Sequence, residues 1–246
     1  MDTPQSEVPQ APLPTRKVLK PAELLIPIAI LIAGLLIASA VYVVRIKHQV
    51  THGSGTPEAV RPVSPSDHII GNPTAPIVII EYADIDSSYS KSLQLTMEQL
   101  MTEYADGGKV AWVFRHFPLS LQHPNAGQHA LAAECAASLS VPTTFFRFID
   151  AMQAAAPNQN QYNPVGYPTL VAQFGIDQTA FKKCMTDAAF EKKIHDDYDN
   201  ALASGAIGSP FVVLITPDNT PAPINGALPY TSMKKVIEEA IKKLPQ

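Results

Sequence analysis

The sequence predicts an α/β domain, an open sheet with a block of helices inserted into it, behind one N-terminal transmembrane helix. Three observations predict it. Leu24–Val44 is a run of 21 residues without a charge. Two β-branched apolar runs, Pro76–Tyr82 and Lys109–Phe117, flank a helical stripe near the start of the remaining chain. Residues 125–205 then read mostly as helix, ahead of two short strands and a last helix.

Residues Met1–Glu23 are polar and proline-rich, with too little apolar surface to fold, and are expected to form a disordered tail. As a helix, Leu24–Val44 is roughly 31 Å long, against a hydrocarbon core of about 30 Å. Pro27 falls in its first turn, where no intrahelical N–H is lost. The apolar run continues past Ala38-Ser39-Ala40, a small-x-small cleavage pattern, and the polar segment before it is long. A retained anchor is therefore expected rather than a cleaved signal peptide. Arg16, Lys17 and Lys20 on one side and Arg45 and Lys47 on the other leave little orientation bias. Residues 45–66, rich in Gly, Pro, Ser and Thr, read as a linker, and 67–246 as a folded domain with its own core.

Inside that domain, Pro76–Tyr82 (PIVIIEY) has the composition of a buried parallel strand. Leu93, Met97, Leu100, Met101 and Tyr104 form the apolar stripe of a helix, which Asp106-Gly107-Gly108 ends. Lys109–Phe117 is the next strand, and strand–helix–strand at this spacing implies a right-handed parallel crossover. Asn125–Ser140, Thr143–Ala155 and Asp177–Gly205 read as helices, broken by the polar loop Asn158–Pro164. Pro210–Ile215 and Ala222–Asn225 flank a turn at Asp218-Asn219, and Met233, Val236, Ile237, Ala240, Ile241 and Leu244 line the last helix.

Composition narrows the function classes. A net charge of −4 leaves no basic face for nucleic acid. Two cysteines and seven scattered histidines make no cysteine-rich zinc site, and no motif implies a metal or other cofactor.

Five segments in order carry a resemblance: HIIGNPTAPIVIIEYADID, FRHFPLSLQHPNAGQHALAAECA, FGIDQTAFKKCM, GSPFVVL and INGALPY. Together they resemble the DsbA-like thiol–disulfide oxidoreductases of the bacterial cell envelope, from about Asp67 to Lys243. The resemblance implies a thioredoxin-like fold with a helical insertion at about residues 125–205. It also implies a Cys-x-x-Cys pair at the start of the first long helix, where unpaired N–H groups and the helix dipole stabilise a thiolate.

This chain has Ser87-Ser88-Tyr89-Ser90 there instead. Disulfide exchange needs an attacking thiolate and a sulfur leaving group, and serine supplies neither. Ser87 suits a helix N-cap. A serine-hydrolase role would need a general base and an oxyanion hole; no G-x-S-x-G elbow is present, and nothing local marks His116 or His123 as the base.

Other family features persist. Ser209-Pro210 matches the cis-proline loop, which in relatives offers backbone groups to an extended polypeptide, so Ser88, Tyr89, Ser209 and Pro210 are the expected substrate-binding positions. Glu81 matches the buried acid that assists proton transfer from the thiols. Cys135 and Cys184 fall where some relatives carry a second, structural disulfide. Two separate buried thiols and a redox-active pair are the alternatives.

Three functions follow as expectations. The first is a single-pass, extracytoplasmic protein of the bacterial membrane, anchored by Leu24–Val44, that holds extended or unfolded envelope polypeptides without redox chemistry. The second is an envelope oxidoreductase, forming or isomerising disulfides, whose catalytic cysteines are replaced by serine in this sequence. The third is a structural subunit that meets a partner through another face.

Overall fold

The computed structural model describes residues 55–156 and 162–244; the expected tail, the expected anchor Leu24–Val44 and residues 45–54 of the expected linker lie outside them. Among the described residues no helix is long and apolar enough to cross a membrane.

Largely β-branched and aromatic composition makes β2 (Ile77–Ala83) and β3 (Val110–His116) strands that are buried at every position, Glu81, Arg115 and His116 included. They pair in parallel, Ile77 opposite Val110 through Ala83 opposite His116, with α1 (Ser88–Tyr104) as the crossover. β1 (His68–Gly71) lies antiparallel on the far side of β3. β4 (Phe211–Ile215) and β5 (Pro221–Asn225) extend the other edge, giving a mixed five-stranded sheet of order β1-β3-β2-β4-β5. Among the described residues, five α-helices run between β3 and β4: α2 (Ala126–Ser138), α3 (Thr144–Ala155), α4 (Tyr167–Gln173), α5 (Gln178–Cys184) and α6 (Ala188–Ala203). α7 (Tyr230–Lys242) closes the chain.

The pleat sends alternate residues of β2 to opposite faces. Ile77, Ile79 and Ala83 join Leu93, Met97 and Leu100 of α1, the aromatic residues of α3, and Met233 and Ile237 of α7 in the larger core. Val78, Ile80 and Tyr82 face a smaller cluster containing Ala201 of α6.

Three features differ from the sequence reading. β1 was not expected, because four residues are too short to display a period. The helix expected over 177–205 is two helices. Asp177 and Asp187 each accept a backbone N–H at a helix start (Ala180 and Ala189), and a turn at residues 185–187 separates them. α4, also unexpected, is followed after its cap Phe174 by Gly175, whose φ of 66° suits a residue without a Cβ.

The packed chain also begins before Asp67. Pro57–Ala59 form a 3₁₀ turn, Thr56 N–H donates to the Ala203 carbonyl at 2.9 Å, and Arg61 pairs with Asp197 of α6 at 2.5 Å. Buried Arg115 fastens this segment to β3. It meets Asp67 with Nε at 2.9 Å and a second guanidinium nitrogen at 3.1 Å, and it donates to the carbonyls of Arg61 and Pro62 at 3.0 Å each. A buried guanidinium needs this many acceptors.

Candidate functional site

β2 ends at Ala83, and the chain turns through Asp84–Asp86 into α1. Ser87 is the N-cap, with extended backbone (φ −77°, ψ 125°), and its Oγ accepts the Ser90 N–H at 3.4 Å. One of the four unpaired N–H groups of the helix start is thereby satisfied. Ser90 is buried behind it, and Ser88 and Tyr89 are exposed, Tyr89 with 70% of its surface open.

The loop entering β4 approaches this turn. The Ser209–Pro210 peptide is cis. Ser209 Oγ lies 2.8 Å from Ser90 Oγ and accepts the Asp84 N–H at 2.7 Å, while Ser87 Oγ donates to the Ser209 carbonyl at 3.5 Å. The fold thus brings Ser87, Ser90 and Ser209 into one hydroxyl cluster. Ser209 is half-buried and Pro210 buried, so Ser88, Tyr89 and the Ser209 edge are what the surface presents. Beside them a groove of about 340 Å³ runs between α1 and α3, with Ile85, Leu95 and Met152 as its apolar walls and Lys91 and Gln153 among its polar groups.

Glu81 lies on the larger-core face of β2, fully buried. Trp112 Nε1 donates to its Oε2 at 2.9 Å, and Oε1 has no partner among the described residues. Burial pushes its pKa up to about 8; the Trp112 bond opposes that rise and the negative charge of Glu98 adds to it. Glu98 is itself raised to about 7, first by burial and then by the neighbouring Asp150 carboxylate. Gln94 donates to both, to Asp150 at 2.5 Å and to Glu98 at 3.3 Å.

Cys135 and Cys184 are joined, tying α2 to the last residue of α5 across 49 positions. His123 and His116 are both engaged away from the serines. His123 Nδ1 meets Asp84 at 2.8 Å, and His116 Nε2 meets Glu134 at 2.8 Å. Among the described residues neither bonds Ser87 or Ser90.

Sequence reasoning passed over several residues that build the site. Asp84 is fully buried and holds the turn, accepting from Asp86 N at 2.8 Å and Leu119 N at 2.7 Å as well as meeting His123. Asp86 meets His129 Nδ1 at 2.6 Å. Asp84 and Asp86 sit in the segment EYADID, directly after an apolar strand, and that position is the available signal. A third omission is the group His68, His116, Glu134 and Lys193, gathered from four elements around one carboxylate. Burial raises the Glu134 pKa, but hydrogen bonds from His116 and His68 outweigh it and hold the carboxyl far below its ordinary range.

A family model described as Thioredoxin matches residues 63–238. Among solved structures, the chain is similar to α-DsbA1 of Wolbachia pipientis, with a TM-score of 0.63 and 25% identity over 77% of this chain and 100% of that one. It is similar to DsbA2 of Pseudomonas aeruginosa (TM-score 0.61, 24% identity, 75% and 100% covered). Oxidised BdbD of Bacillus subtilis is also similar (0.61, 18%, 74% and 97%). At 24% and 18% identity the likeness is one of fold. Curated relatives include Na(+)/H(+) antiporter NhaA 3 of Salinispora tropica, 30% identical over 150 residues, 61% of this chain and 22% of the antiporter. Na(+)/H(+) antiporter NhaA 1 of Mycobacterium sp. (strain KMS) is 39% identical over 80 residues, 32% of this chain and 13% of that one. The matches therefore span 22% or less of these relatives' length.

Proposed function

We propose, since this chain belongs to the thioredoxin family, that it is a DsbA-like polypeptide-binding protein without redox chemistry, anchored by Leu24–Val44 on the extracytoplasmic side of a bacterial membrane. One observation carries the reading. Both positions of the family's redox pair are hydroxyls, Ser87 and Ser90, and both bond the Ser209 loop. The chain's two cysteines are spent on a bond between α2 and α5. An alkoxide is a far higher-energy species than a thiolate, and no O–S bond replaces a disulfide, so electron exchange has no carrier at this turn.

Binding needs no sulfur. An extended segment recognised through main-chain hydrogen bonds, with side chains entering an adjacent groove, can use the Ser209–Pro210 edge, exposed Ser88 and Tyr89, and the cleft lined by Leu95 and Met152. Extended or unfolded envelope polypeptides are the clients this chemistry fits. The Cys135–Cys184 bond supports an oxidising compartment.

A second reading is an oxidoreductase scaffold whose sulfurs have been replaced. The raised acid Glu81 behind the turn favours it.

The test uses the full chain purified in detergent, an unfolded carboxymethylated polypeptide carrying a fluorophore, and an insulin-reduction assay in parallel. The expected result is saturable binding by anisotropy with insulin reduction at the uncatalysed rate. Absence of binding, or catalysed reduction by the native chain, overturns the proposal.

A further inference from the structure

We propose that His68, His116 and Glu134 form a binding site for one divalent transition-metal ion of the zinc class. One ring nitrogen of His68, one of His116 and a Glu134 carboxylate oxygen lie within 4.8 Å of one another. They come from β1, the end of β3 and α2, three separate elements of the packed domain. Both imidazoles already converge on the same atom, Glu134 Oε1, at 2.9 and 2.8 Å. A tetrahedral zinc ion with bonds near 2.1 Å needs its ligands roughly 3.4 Å apart, so each imidazole has to draw back from the Glu134 oxygen by about half an ångström.

The donor set selects the ion. Two imidazoles and one carboxylate suit zinc and its first-row neighbours, whereas magnesium and calcium take oxygen ligands. His68 stacks on Phe145 with ring centroids 3.4 Å apart, which fixes its plane. Without an ion, Nε2–H of His116 faces the Glu134 oxygen at 2.8 Å; an entering ion takes the Nε2 lone pair and leaves the ring proton on Nδ1, which has no partner among the described residues.

A cation already meets the same carboxylate oxygen. The Lys193 ammonium bonds Glu134 Oε1, and Asp197 Oδ2 lies 3.9 Å from the same nitrogen, one helical turn on. An entering ion displaces the ammonium toward Asp197, so Lys193 competes with the metal for Glu134. The way in runs along His68 and Lys193, whose side chains are 12% and 17% exposed, while those of His116 and Glu134 are 1% and 4% exposed. A bound ion would clamp β1 and β3 to α2 one residue from the Cys135 bond, and binding to the folded state alone stabilises it.

The test titrates the full chain in detergent with Zn²⁺ against a chromophoric chelator, and with Co²⁺ followed by its ligand-field absorption. One ion per chain is expected, with a tetrahedral cobalt spectrum. His68→Phe keeps the stack on Phe145, leaves the other six histidines in place, and is expected to abolish that ion. Lys193→Met is expected to tighten binding about tenfold or more, an effect that a purely hydrogen-bonded cluster does not produce. No binding by the native chain, equal binding by His68→Phe, or unchanged or weaker binding by Lys193→Met overturns the proposal. The lysine variant decides the matter if His68→Phe does not fold.

Discussion

Ser90 Oγ and Ser209 Oγ lie 2.8 Å apart, so a hydrogen bond between two hydroxyls joins the first turn of α1 to the loop that enters β4. Ser209 Oγ also accepts the Asp84 N–H, and its carbonyl accepts from Ser87. The turn is therefore tied down without sulfur, and the surface around Tyr89 stays open.

Placing sulfur at this turn tests what the scaffold retains. Ser87→Cys with Ser90→Cys puts one thiol at the N-cap of a 17-residue helix, where N–H groups and the dipole lower its pKa. Insulin reduction by the double variant is expected to exceed that of the native chain by about tenfold or more. A variant that folds, forms the new disulfide and stays inert would show that more than the sulfurs has been lost.

Glu81 predicts a stability that falls with rising pH. Its folded pKa, raised by burial to about 8 from an unfolded value of 4.5, means the folded state holds a proton that the unfolded state has released between those values. Stability from this group is complete below about 4.5 and is lost at up to roughly 1.4 kcal/mol per pH unit as pH climbs to about 8. Thermal melts of Glu81→Gln should decline less steeply than native melts across that interval. Identical slopes would remove Glu81 as the cause.

The Cys135–Cys184 bond closes a loop of 49 positions. On chain entropy its loss costs roughly 4 kcal/mol. Denaturant unfolding of Cys135→Ala with Cys184→Ala should show a lowered midpoint, while polypeptide binding at saturation persists below the transition. Unchanged stability would contradict a structural role.

What was legible in the sequence is what local chemistry decides. The apolar runs of β2 and β3, the stripe of α1 and the N-cap position of Ser87 each depend on near neighbours. β1 is four residues long, and the break before α6 depends on Asp187 outcompeting helix continuation, so neither carries a strong period. Of the hydroxyl cluster, Ser87 and Ser90 were visible as departures from the family pair. The contact of Ser90 with Ser209 spans 119 positions and exists only once β4 docks against β2. The buried polar groups were harder still. Arg115 and Asp67, or His68 and Glu134, stand 48 and 66 positions apart, and a charged residue inside an apolar strand says that it needs a partner without naming one.

Site-specific photocrosslinking tests the central claim most directly. A photoreactive residue replaces Tyr89 in the full chain, or, as the control, Val165, which is also exposed but lies outside the Ser87–Ser90 turn beside the groove. Each is irradiated with a labelled unfolded polypeptide that contains no cysteine. Capture at position 89, competed by unlabelled polypeptide and absent at 165, is the predicted result. Equal capture at both positions, or none at 89, would contradict it.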